Sequence, residues 1–133
     1  MPLHRATVAV VVMLGTLPLL AGCASGDDLD RTARDGVVRV DLREYRIDPQ
    51  DWEVPAGRVE LVASNRGRLA HNLAVESVVE ESDDEPQQFA RTPTARPGRT
   101  TTATAKLRPG TYRLACTLAN HDNLGQYGRL VVK

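Results

Sequence analysis

An all-β sandwich is the fold this chain predicts, on three observations. Apolar residues alternate with a period of two, Pro and Gly turn signals separate the alternating runs, and no window sustains a helical period. Val38, Val40 and Leu42 alternate with charged residues, and Tyr45 and Ile47 continue in the opposite phase. A phase slip of that kind reads as a β-bulge inside one strand. Trp52 and Val54 precede the turn signal Pro55-Ala56-Gly57, after which Val59, Leu61 and Ala63 alternate again. His71, Leu73 and Val75 form another short run, and the threonine-rich segment from Thr100 to Leu107 suits a strand. Pro109-Gly110 turns the chain into Tyr112, Leu114 and Cys116, and Leu130 and Val132 make the last run. About seven short strands divided by such turns predict an antiparallel sandwich.

Two connections stand out. The stretch from Glu76 to Pro86 carries Glu76, Glu80, Glu81, Asp83, Asp84 and Glu85, which reads as a solvated connection or as a docking patch for a basic partner. Ala90 to Arg99 is rich in Pro and Arg and reads as an irregular crossover.

The chain has 133 residues, enough for one domain and not for two. Its formal net charge is zero, and its aromatic residues are Trp52, Phe89 and three tyrosines. A nucleic-acid binder needs a basic field and usually stacking rings, so that class is excluded.

The N-terminus points to export. A short segment bearing Arg5 leads into an almost entirely apolar stretch from Ala6 to Leu20, followed by Leu20-Ala21-Gly22-Cys23. Such a segment is a secretory signal, too short and wrongly flanked for a membrane span. Its ending resembles the bacterial lipobox, whose cysteine is acylated and becomes the first mature residue; the bland alternative is an ordinary signal that ends near a cysteine. By that resemblance residues 1–22 are a lipoprotein signal peptide and Cys23 carries the lipid on the outer face of the cytoplasmic membrane. Residues 23–36 are small, polar and charged and read as a flexible tether. Residues 37–133 are left as the folded domain.

Metal ligands are few in that domain. His4 leaves with the signal, so His71 and His121 are its histidines, and Cys116 is its cysteine. A lone thiol in an oxidising compartment is a hazard unless something uses it. One thiolate with two imidazoles is the ligand set of a type 1 copper site. Cys116 and His121 share a loop, CTLANHDNLGQYG, between the last two expected strands, whereas His71 comes from far upstream. The bland alternative is a core cysteine with two framework histidines.

These residues resemble those of the plastocyanin- and azurin-like cupredoxins. Pro55-Ala56-Gly57 before a strand is similar to the family's opening, and His71-Asn72-Leu73 to its first ligand motif. Leu107-Arg108-Pro109-Gly110-Thr111-Tyr112, then Cys116, His121 and Gly125-Gln126-Tyr127-Gly128, resembles its closing ligand loop. The resemblance implies a cupredoxin-like Greek-key β-sandwich of about seven to eight strands. It also implies one type 1 copper bound by His71, Cys116 and His121, with Asn72 and Thr117 as the pair that ties the first ligand strand to the cysteine loop. One departure stands out. The family usually places methionine where Gln126 stands, and Met1 and Met13 both lie in the signal. An amide oxygen from Gln126 is an alternative axial ligand, as in the stellacyanin-like branch, and a lower reduction potential follows from the harder donor. The other reading leaves Gln126 pointing to solvent.

The expected function is one-electron transfer between transient redox partners outside the cytoplasmic membrane, by a monomer that is not an enzyme. A multicopper oxidase needs many histidines, and two cannot feed a trinuclear cluster. The alternative is an extracytoplasmic copper chaperone, store or sensor, although the methionine- and histidine-rich surfaces such proteins use are lacking here.

Overall fold

The computed structural model describes residues 31–79 and 85–133. The expected signal peptide, Cys23 and the middle of the acidic stretch lie outside them. The described residues form ten strands and no helix: β1 (Arg31–Thr32), β2 (Val37–Arg43), β3 (Arg46–Asp48), β4 (Asp51–Val54), β5 (Gly57–Asn65), β6 (Ala74–Ser77), β7 (Gln88–Arg91), β8 (Thr100–Leu107), β9 (Gly110–Ala115) and β10 (Tyr127–Val132). They make two sheets, one in the order β1-β4-β10-β9-β6-β7 and the other β3-β2-β5-β8. The all-β sandwich follows from the alternation. Val38, Val40 and Leu42 of β2 and Val59, Leu61 and Ala63 of β5 send their side chains inward, against Trp52, Val54, Leu114, Leu130 and Val132 of the facing sheet.

Five details differ from the sequence expectation. The sheets are mixed rather than antiparallel, because β2 pairs parallel with β5, and β4 pairs parallel with both β10 and β1. Parallel neighbours need a crossover between them. Between β2 and β5 the chain supplies one by sending β4 into the opposite sheet. Alternation reveals the buried face of a strand but not the direction of its neighbour.

The phase slip between Leu42 and Ile47 is a hairpin turn, not a bulge. Arg43 pairs with Arg46 and Leu42 with Ile47, so only Glu44 and Tyr45 lie at the tip. Such a hairpin matches an even position with an odd one, and both apolar partners are buried.

The domain also starts earlier than expected. Arg31 and Thr32 add an edge strand beside β4, the Ala33 N–H donates to the Glu53 carbonyl at 2.8 Å, and Ala33 is buried. The last part of the expected tether therefore belongs to the sheet.

The expected crossover beginning at Ala90 opens as part of strand β7, which pairs with β6. Its side chains are mostly exposed on this outer edge, so it has no alternation to read. Glu76, expected in a solvated connection, instead lies on β6 and is buried against Arg113.

Candidate metal centre

Three chain segments meet at one end of the sandwich. His71 precedes β6 and is fixed by a two-way backbone bridge to Ala95, His71 N–H to Ala95 O at 3.1 Å and Ala95 N–H to His71 O at 2.7 Å. Cys116 directly follows β9, and Gln126 directly precedes β10. The Cys116 N–H donates to the Gln126 carbonyl at 3.1 Å, closing the neck of the loop between these strands. Inside it, turns run from Leu118 to His121 and from His121 to Gln126, each closed by a backbone hydrogen bond. Ala119 and Asn120 take left-handed backbone angles, φ 46° and 57°. Asn tolerates that region, whereas Ala pays about 1–2 kcal/mol there, offset by the bonds that fix the loop.

The donor atoms converge. Cys116 Sγ lies 3.9 Å from His71 Nδ1 and 3.6 Å from His121 Nδ1, and the two Nδ1 atoms are 3.2 Å apart. Cys116 and His71 are fully buried and His121 is nearly so. Among the described residues this trio is the group of His, Cys, Asp or Glu side chains close enough to hold an ion. A triangle of these sides has its three corners about 2.1 Å from a common centre, the length of ordinary metal–nitrogen and metal–thiolate bonds. The site therefore fits a metal in size, and its mix of soft sulfur and imidazole suits copper in composition.

Two further predicted residues reinforce this arrangement. Asn72 Nδ2 donates to Thr117 Oγ1 at 2.9 Å, and the Thr117 N–H donates to Asn72 Oδ1 at 2.8 Å. The pair joins the residue after His71 to the residue after Cys116.

Gln126 is fully buried and does not point to solvent. Its Nε2 donates to the carbonyls of Arg43, at 2.8 Å, and Arg46, at 3.3 Å. Two carbonyl acceptors demand the NH₂ end of the amide, which fixes its orientation. Oε1 is left buried without a hydrogen-bond partner. An orphaned buried acceptor costs about 1–3 kcal/mol, and a cation would relieve it.

Sequence reasoning missed Glu44. Its Oε1 accepts the N–H groups of Arg68 and Leu69, each at 2.7 Å, and lies 3.0 Å from His71 Nε2. The Leu69 N–H, the His71 ring and then the Arg68 N–H hold the carboxyl down at about 2. An ionised carboxylate can only accept, so His71 Nε2 carries the proton of this hydrogen bond, and Nδ1 is the ring nitrogen that faces Cys116 and His121. Nothing in the one-dimensional pattern marks this residue, because its partner lies on another strand connection. At the same turn, the Tyr45 ring meets the His121 ring edge-on at 5.0 Å.

A buried cysteine sulfur and two imidazoles, framed by a two-sheet sandwich and closed by a hairpin-like loop, define a mononuclear metal-binding β-sandwich. The chain belongs to the cupredoxin-like domain family, whose profile matches residues 9–132. It resembles the solved structure of dithionite-reduced auracyanin from the photosynthetic bacterium Roseiflexus castenholzii, with 21% identity and a TM-score of 0.66 over 76% of this chain and 99% of that one. Auracyanin A of Chloroflexus aurantiacus, described as a "blue" copper protein, aligns with 22% identity and a TM-score of 0.61 over 73% of this chain and 98% of its own. Auracyanin B aligns with 20% identity and a TM-score of 0.64, covering 81% and 92%. No curated protein sequence matches the chain.

Proposed function

We propose that this protein is a blue copper electron carrier, tethered to the outer face of the cytoplasmic membrane by lipid on Cys23. His71 Nδ1, Cys116 Sγ and His121 Nδ1 would hold one copper ion, with the unpartnered Gln126 Oε1 as a fourth donor. The ion supplies a one-electron couple between Cu(II) and Cu(I). The chain supplies a set of donors that stays put when the electron arrives. His71 is pinned by its backbone bridge to Ala95, Cys116 by the loop neck, and both connections are tied together through Asn72 and Thr117. Fixed ligands keep the rearrangement between the two oxidation states small. Partners would be redox proteins that bind briefly over a small interface, and the carrier would work as a monomer without catalysing a reaction of its own.

The observation that carries this reading is the burial of one cysteine sulfur within 3.6–3.9 Å of two imidazole nitrogens. Adding Cu(II) to the full-length protein is expected to give an intense visible thiolate-to-copper band and a reversible one-electron potential. Colourless binding, or a band that survives Cys116→Ser, would remove the reading. Release of the protein from membranes by Cys23→Ala tests the anchor separately.

A further inference from the structure

We propose that Glu44 is an anionic positioning residue for the metal centre: its carboxylate fixes the ring orientation and tautomer of His71 and biases the bound ion toward its more positive oxidation state. The inference rests on the copper reading above but makes its own claim about the metal-free protein.

The receptor for this carboxylate is built rather than incidental. Three donors converge on one oxygen, the backbone N–H groups of Arg68 and Leu69 and the Nε2–H of His71. The segment that presents them is organised by Asn65. Its Oδ1 accepts the Gly67 N–H at 2.8 Å, while its Nδ2 donates to the carbonyls of Leu69, at 2.7 Å, and Ala95, at 2.8 Å. Asn65 thus holds the loop in register with the Ala95 bridge that also holds His71. Gly67 leaves the space the carboxylate fills; any side chain there would run into Glu44. The buried imidazole and the ionised group share a single hydrogen bond, with the His71 side chain fully buried and that of Glu44 about one quarter exposed.

The physical consequence has two parts. A ring whose Nε2–H is held by an anion has one neutral tautomer and one rotation, with Nδ1 turned to Cys116 and His121, so the donor is ready before any ion arrives. The negative charge also makes the ring a stronger donor, which stabilises a dipositive ion more than a monopositive one. The turn that carries Glu44 reaches two other ligands, through the Arg43 and Arg46 carbonyls on Gln126 and through the Tyr45 ring beside His121. One hairpin tip therefore sets the surroundings of three of the four donors.

The test compares Glu44→Gln and Glu44→Ala with the wild type. Gln keeps an acceptor oxygen for Arg68, Leu69 and His71 while removing the charge; Ala removes both. In the copper-loaded protein, Glu44→Gln is expected to keep the visible band and lose about tenfold in Cu(II) affinity with little change for Cu(I). That ratio raises the potential by about 59 mV for one electron. In the metal-free protein, imidazole nitrogen shifts are expected to show His71 protonated at Nε2 in the wild type and in Glu44→Gln, and a mixture of tautomers in Glu44→Ala. An unchanged potential in Glu44→Gln overturns the electrostatic role, and an unchanged His71 tautomer in Glu44→Ala overturns the positioning role. If the wild type gives no thiolate-to-copper band, the copper reading fails, and the metal-free comparison alone upholds or overturns Glu44.

Discussion

Asn72 and Thr117 face each other across the gap between the segment that carries His71 and the cysteine loop, joined by an amide-to-hydroxyl bond of 2.9 Å and a backbone-to-amide bond of 2.8 Å. Both bonds exist only while the two segments are in register, and Asn72 is buried. Removing the amide leaves the Thr117 N–H without its acceptor. Asn72→Ala is expected to cost about 2 kcal/mol in a denaturant titration, and to weaken copper retention against a chelator. Normal retention in a destabilised variant would mean that the pair supports the fold without holding the loop.

Gln126 offers a sharper electronic test. Its amide nitrogen is occupied by the Arg43 and Arg46 carbonyls, while Oε1 has no partner. Gln126→Met replaces a hard oxygen with a soft sulfur at the same depth, which favours Cu(I). The potential is expected to rise by at least about 59 mV, a tenfold change in relative affinity. Potential and spectrum both unchanged would show that the oxygen does not ligate.

How far the sequence alone carries depends on the kind of information each feature needs. The inward faces of β2 and β5 were legible because Val38, Val40, Leu42, Val59, Leu61 and Ala63 alternate regardless of which strands lie beside them. The clustering of His71, Cys116 and His121 was legible because their residue types are scarce in the domain and their spacing is ordered. The parallel pairing of β2 with β5 was not, since pairing direction depends on where the intervening chain travels. The hairpin at Glu44 and Tyr45 was mistaken for a bulge because both produce the same phase slip. The role of Glu44 needed three-dimensional information throughout, as its acceptor contacts lie 24 to 27 positions away.

Gly128 tests the coupling between the loop from Cys116 to Gln126 and the sheet. A β-carbon at this position would collide with the backbone carbonyl of Gln50, whose side-chain Nε2 in turn donates to the Tyr127 carbonyl at 3.0 Å. The obstacle is backbone, so relief requires β10 to move away from the chain entering β4. Gly128→Ala is expected to cost about 1–3 kcal/mol, the range for overpacking. Because Gln126 lies two residues earlier, the same variant is expected to shift the visible spectrum of the loaded protein. Wild-type stability in a thermal melt would show that β10 relaxes freely.

Glu76 gives the protein a pH dependence whose sign can be worked out. Burial raises its pKa, Arg113 opposes that rise through a 3.4 Å ion pair, and Asp122 adds to it. Burial dominates, so the folded state binds the proton more tightly than the unfolded chain does. The group's stabilising contribution is complete below the unfolded value of 4.5 and is lost as pH climbs through the higher folded value. Glu76→Gln stays neutral throughout and keeps an acceptor for Arg113. It is therefore expected to melt at a higher temperature than the wild type near neutral pH, with the gap closing as pH falls toward 4.5. A gap that instead widened on acidification would mean that the ion pair with Arg113 outweighs desolvation and that Glu76 is ionised in the fold for the benefit of its stability.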